Sequence, residues 1–218
     1  MPEDKMDLKD LYIIGAGGFG RETAWLVERI NGVNPTWKIR GFIDDNVDLH
    51  GGKEGDYSVL GGCEYFESIG GEFWVVCAIG SAQVRQKVIE KLSVFRNLRF
   101  ATVIDPAAQL SNRVEIGEGS IICAGNIITV DVIIGKHNII NLSCTIGHDV
   151  VLKDYVTLYP GVNVSGNVIV EKQCELGTGA KIIQGKRIGS NSIIGAGAVV
   201  IRDISTEGTY VGVPAGRK

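Results

Sequence analysis

Residues 140–157 read Ile140-Asn141-Leu142-Ser143-Cys144-Thr145, Ile146-Gly147-His148-Asp149-Val150-Val151, Leu152-Lys153-Asp154-Tyr155-Val156-Thr157. Each block of six opens on a branched aliphatic residue and places a small residue or valine fifth. Carried in both directions, the step holds without insertion. The lead is Ile, Leu or Val in all seventeen hexads from Ile104 to Val200. The fifth residue is Ala, Ser, Cys or Val in thirteen of them, with Asn126, Asn138, Lys186 and Ile204 as exceptions. The fourth favours turn formers such as Gly119, Asp131, Asp149, Asn167 and Gly197. A period of six is neither helical nor a plain two-residue alternation. It fits a three-sided coil of about 18 residues per lap, with lead side chains on the axis. Small fifth residues suit the narrowing of the prism, and the fourth residues suit corners of positive φ. An antiparallel sandwich would not keep register over seventeen hexads.

Upstream the period is absent and β and α segments alternate. Leu11–Ile14 reads as a strand, followed by a glycine loop and a helix to about Ile30. Lys38–Ile43 and Phe73–Ile79 read as strands, Ser81–Ser93 as a helix with Val84, Val88, Ile89 and Leu92 at helical spacing, and Leu98–Val103 as a last strand entering the repeats. Residues 46–62 are polar and glycine-rich and receive no assignment. The division expected is a small Rossmann-like α/β domain over residues 1–103 and an all-β parallel β-helix over 104–218.

Gly15-Ala16-Gly17-Gly18-Phe19-Gly20 stands between a strand and a helix, the setting in which Gly-x-Gly-x-x-Gly lets backbone approach a diphosphate. Asp44 closes the second strand, where an acid meets a ribose hydroxyl. A tight turn without a ligand remains the alternative for this loop. Only about 100 residues precede the repeats, too few for a full dinucleotide fold, so a mononucleotide or a nucleotide-linked sugar suits the loop better.

Composition narrows the function. Formal net charge is −3 with no long run of either sign, which argues against a nucleic-acid footprint. Met1–Asp10 contains no apolar leader segment, and the longest apolar run upstream is too short to span a bilayer. The five cysteines form no Cys-x-x-Cys pair, which favours a reduced, cytoplasmic setting over disulfides or zinc.

The chain has three histidines. His50 lies in the unassigned loop and reads as a surface residue. His137 stands at a corner and reads as a turn residue. His148 takes the outward third place of its hexad, and one lap of about 18 residues further on lies Gly166. An imidazole under a residue without a side chain leaves room for an acyl thioester beside a potential base. Asp149 is either an orienting acid or a plain corner residue, as Asp131 and Asp203 are. Cys144 and Cys174 fill small fifth places and read as inert, so direct attack without an acyl-enzyme is expected. One exposed face needs a second wall, which three prisms about a three-fold axis supply; a homotrimer is expected.

The hexads, Gly147-His148-Asp149 and Gly212-Val213-Pro214-Ala215 resemble the left-handed β-helix acyltransferases. Tyr12 to Gly20, Gly41-Phe42-Ile43-Asp44-Asp45 and Ala78-Ile79-Gly80 are similar to the sugar acyltransferases of the sialic acid O-acetyltransferase type, which include N-acetyltransferases of UDP- or dTDP-linked 4-amino sugars in bacterial glycan synthesis. The resemblance implies left-handed winding, acetyl-CoA as co-substrate and a nucleotide-linked amino sugar as acceptor; the cysteine and histidine spacings lead us to expect no metal. It implies His148 as general base, Asp149 as acidic partner and Asn141 at the acetyl or acceptor end. It implies Gly166 and Ala196 as backbone contacts of the thioester or pantetheine arm, with Gly177 and Thr178 along the groove. Gly15, Gly17, Gly18, Asp44, Asp45, Ala78 and Gly80 then hold the nucleotide. The chain departs from the family at Thr157, where some members carry a second histidine near the cofactor, at Phe19 for a loop histidine, and at Gly216 for a lysine, which shifts a cofactor contact to Arg217.

The leading expectation is N-acetylation of a nucleotide-linked 4-amino sugar, and sugar O-acetylation is its rival. A γ-type carbonic anhydrase needs three zinc-binding histidines, and His137 and His148 do not fall one lap apart. A non-catalytic binding module would use the front domain alone.

Overall fold

The computed structural model describes residues 8–218. Residues 1–7, on which the reading of the leader largely rests, lie outside the described residues. The front domain is one six-stranded sheet. Its strands are β1 Lys9–Ile14, β2 Trp37–Ile43, β3 Lys53–Glu54, β4 Tyr57–Gly61, β5 Phe73–Cys77 and β6 Leu98–Phe100, in the order β3-β4-β2-β1-β5-β6. All pairings are parallel except the β3–β4 hairpin. Helix α1 spans Gly18–Val33 and α2 spans Ala82–Leu92. Ile13 and Phe42 fill one buried cluster with Leu26 and Val27 of α1; Tyr12 and Ile43 fill another with Ile89 and Leu92 of α2.

Residues 104 onward form the three-sided coil. Strands two or three residues long stack in parallel into three faces, and up to Val200 each partner sits 18 residues on, as in Ile121 with Ile139, Ile127 with Thr145 and Ile133 with Val151. The first face runs from Val103–Ile104 to Ile193–Ile194, the second from Gln109–Leu110 to Val199–Val200, and the third from Val114–Ile116 to Arg187–Ile188. Lead residues from Ile122 to Val200 are at most 2% exposed and build one continuous core. Each full burial of this kind contributes about 1.5–3 kcal/mol. Every fourth residue from Gly119 to Gly197 has a positive φ, glycine or not. Asn126, an exception in fifth place, is fully buried, and its amide group replaces backbone partners, donating to the Cys123 carbonyl and accepting from the Cys144 amide.

Three expectations are corrected, and the unassigned segment gains a strand. The loop over 46–62 holds β4, which extends the parallel sheet beside β2, because Phe42 and Val59 pair across it. The strand expected over Leu98–Val103 is two: β6 belongs to the front sheet, and Val103–Ile104 pairs with Ile121–Ile122 of the coil. Helix α2 turns Ala82, Arg85, Ile89 and Leu92 inward, while Val84 is 48% exposed. The seventeenth hexad is two residues short. Ile188 bridges to Ile204 and Ile194 pairs with Tyr210, steps of 16, so Ile204 takes a lead place. A hairpin of Thr209–Val211 with Gly216–Arg217 closes the stack. Among the described residues no helix is long and apolar enough to cross a membrane.

Candidate functional site

His148 stands on the corner between the second and third faces, next to Asp149, whose φ is positive. Its Nδ1 lies 2.8 Å from Oδ2 of Asp149, and both side chains are half exposed. A carboxylate accepting from Nδ1–H selects the tautomer whose Nε2 carries the lone pair. That Nε2 faces Gly166 on the next lap: a Cβ built there would stand 2.5 Å from Nε2 and 2.6 Å from Cε1. The imidazole and the open space over it are thus brought together as the 18-residue lap requires, and the Asn167 amide donates to the His148 carbonyl to tie the two laps.

The other residues expected along a cofactor groove lie elsewhere on the prism. Gly177, Thr178 and Ala196 occupy the corner between the first and second faces, and a Cβ on Gly177 would meet the Ala196 amide at 2.7 Å. Asn141 shares that corner, two laps below; its Oδ1 accepts from the Leu142 amide. The strand Thr145–Ile146 separates Asn141 from His148, so one chain does not bring the two together. Arg217, on the closing hairpin, donates to the Glu207 carbonyl and is exposed. Thr157 requires a correction: it is 1% exposed, its hydroxyl donates to the Gly80 carbonyl at 2.7 Å, and it accepts from Arg85. It presents no surface to a cofactor in this chain.

A second hollow opens at the carboxyl ends of the front strands, where ligands of open α/β sheets bind. The cavity is about 200 Å³, lined by Ile14, Gly15, Ile43, Asp44, Asp45, Cys63, Ile79, Val84 and Val88. Asp44 braces the glycine loop, its Oδ2 accepting from the Ala16 amide at 2.9 Å. Asp45 accepts from the Cys63 amide and from Lys91, whose ammonium at 3.0 Å holds the carboxyl below its usual range. Gly17 and Gly18 are exposed at the mouth of α1. Ala78 is buried, its amide donating to the Ile14 carbonyl and its carbonyl close against Gly15. Gly80 turns its carbonyl to Arg85 and Thr157.

Arg85 was not singled out by sequence. It is fully buried, forms no ion pair among the described residues, and is ringed by carbonyl oxygens. Burial lowers its pKa to about 10, so it stays charged at neutral pH. The signal was present: Ala82, Arg85, Ile89 and Leu92 follow helical spacing, with one cation on an apolar stripe.

His50 pins the loop after β2, its Nε2 lying 2.8 Å from the Asp44 carbonyl. His137 is a corner residue of φ 54, as read, and also 4% exposed, packed between Phe100 and Tyr155. Cys144 and Cys174 are fully buried thiols, raised by burial to about 11 and about 12. Among the described residues no three His, Cys, Asp or Glu side chains are grouped to hold a metal ion.

Comparison with known proteins agrees with this architecture. Residues 10–92 match the PglD N-terminal domain family. GDP-perosamine N-acetyltransferase of Escherichia coli O157:H7 is 31% identical over 178 residues, covering 81% of this chain and 79% of that one. The acetyltransferase domain of PglB from Neisseria gonorrhoeae FA1090 superposes with a TM-score of 0.88 at 29% identity, over 96% of this chain and 100% of that one. PerB from Caulobacter crescentus, solved in complex with CoA and GDP-perosamine, does so with 0.83 at 31% identity, over 96% and 97%. The likeness spans both halves of the molecule and carries the left hand of the coil. The chain therefore belongs to the hexapeptide-repeat, left-handed β-helix acyltransferases related to the GDP-perosamine and PglB-type N-acetyltransferases, and is an enzyme of that class.

Proposed function

We propose that the enzyme transfers an acetyl group from acetyl-CoA to the amine of a nucleotide-linked 4-amino sugar, with His148 as general base. The observation that carries this reading is the imidazole oriented by Asp149 with its free Nε2 under Gly166, where a side chain would close the space. The likeness to GDP-perosamine N-acetyltransferase and to PerB bound to CoA and GDP-perosamine supports the acceptor class. The apolar cavity with Asp44 and Asp45 at its edge suits the nucleotide.

Acetyl-CoA supplies the activated acyl group. His148 takes the proton of the attacking nitrogen as the new C–N bond forms at the thioester carbonyl. Asp149 stabilises the imidazolium. The C–S bond then breaks, and the imidazolium returns its proton to the departing sulfur. No thiol of the chain enters the reaction.

We further propose a homotrimer. His148 and Gly166 stand on one corner, and Asn141, Gly177, Thr178 and Ala196 on the next. Faces of a rigid prism do not fold onto each other, so a groove lined by both sets needs a second copy of the chain.

The test is turnover of acetyl-CoA with UDP-, dTDP- and GDP-linked 4-amino sugars and with hydroxyl acceptors. Amine acetylation is expected, and His148→Ala lowers kcat on the order of 10²–10⁴-fold. Activity confined to hydroxyl acceptors, or undiminished in His148→Ala, would refute the assignment.

A further inference from the structure

Arg85 of α2 grips two bodies at once. On the front domain it donates to the carbonyls of Ile79 at 2.7 Å and Gly80 at 3.0 Å. On the coil it donates to the carbonyls of His137 at 2.9 Å and Tyr155 at 3.0 Å, and to the Thr157 hydroxyl at 2.9 Å. His137 and Tyr155 are equivalent corners of successive laps, so the planar guanidinium spans one rung of the stack. Glu175 adds a second tie, accepting from the Ala82 amide at 2.9 Å and from the Tyr159 hydroxyl at 3.0 Å.

What this grip holds is one wall of the front cavity, formed by Ile79 of the turn and by Val84 and Val88 of α2. A buried cation with no direct ion pair among the described residues is an expensive way to join two surfaces, even with the Glu175 carboxylate nearby. An apolar side chain would join them at lower cost, but apolar contact is non-directional and leaves the surfaces free to slide. Directional bonds to oxygens on both bodies fix an angle.

We infer that Arg85 is a positioning residue that sets the nucleotide cavity at a fixed orientation to the coil, so that the acceptor amine arrives in register with the acyl-transfer site. This rests on the acceptor class proposed above. Displacement of a reacting group by about 1 Å is enough to lower a rate on the order of 10²-fold.

The experiment compares wild type, Arg85→Lys and Thr157→Val on two acceptors, the nucleotide-linked 4-amino sugar and the same sugar without its nucleotide. The free sugar makes no use of the cavity, so its slow turnover reports the acyl site alone. For Arg85→Lys, kcat on the linked acceptor is expected to fall roughly 10- to 100-fold, with KM for acetyl-CoA and turnover of the free sugar unchanged. Thr157→Val, which removes one acceptor from the same guanidinium and the hydroxyl bond to the Gly80 carbonyl across the same joint, shifts kcat in the same direction by less. Equal losses on both acceptors, or no loss on either, would overturn the inference. Failure of the acceptor assignment has a different signature: wild type then shows no preference for the linked sugar, and both conclusions fall.

Discussion

A methyl group at position 166 would stand within 2.6 Å of two atoms of the His148 ring. Gly166 does not have a positive φ, so alanine fits its backbone, and the half-exposed imidazole has solvent to swing into. Gly166→Ala is therefore expected to leave thermal stability nearly unchanged while lowering kcat/KM for acetyl-CoA on the order of 10²-fold. Steady-state kinetics beside a melting curve checks this, and full activity in the variant would remove the open space from the mechanism. At this scale the sequence was informative wherever a lap count sufficed, which placed Gly166 over His148. It was silent where side chains choose partners. Asp149 occupies the same kind of corner as Asp131, which pairs with Arg113 instead of a histidine. Tyr155 and Gln173 adopt positive φ at corners without a turn former's chemistry, because the stacked laps above and below hold them there.

Between elements, the aromatic cluster of Phe100 from β6, His137 and Tyr155 joins the front sheet to the coil, Phe100 meeting the imidazole edge-on at a centroid distance of 4.7 Å and Tyr155 stacking on it at 5.3 Å. Burial lowers the His137 pKa from 6.5 to about 4; Glu118 and Asp154 oppose the shift, and Arg85 and Lys136 reinforce it. The unfolded chain thus binds this proton more tightly than the folded one. The stabilisation is complete above pH 6.5 and is lost as pH falls towards 4, an effect on the order of 3 kcal/mol. Urea titrations at pH 7 and pH 5 are expected to show this loss, and His137→Asn, which suits the corner and does not titrate there, is expected to flatten it. An unchanged pH dependence in that variant would assign the loss to other groups. The elements of the coil were legible because one side-chain type recurs at one interval. The short last lap was foreshadowed only by Ile204, an isoleucine in a fifth place where valine is the largest aliphatic residue otherwise found. Strand β4 escaped notice because its polar, glycine-rich surroundings read as loop, and pairing with β2 decides it.

For the whole molecule, the separation of His148 from Ala196 by one face of the prism makes assembly a condition of activity under the mechanism proposed here. Sedimentation equilibrium is expected to give a mass three times that of the chain, and a fully active monomer would contradict the shared groove. The division into two bodies was readable from the point where the period of six begins. Their mutual orientation was not. It depends on Arg85 meeting the carbonyls of His137 and Tyr155, and backbone oxygens are present at every residue, so no residue type announces them.

The closing hairpin has a consequence for solubility. A parallel stack has no inherent stop, and a bare top rung would offer unpaired amides and carbonyls to the bottom rung of another molecule, the template on which fibrils grow. Here Gly216–Arg217 runs back against Thr209–Val211, so the first face ends on a reversed strand that cannot extend the screw. At the other end, the rung at Val103–Ile104 lies against α1. A ladder built to repeat is thereby kept finite by a strand turned the wrong way at one end and a helix at the other.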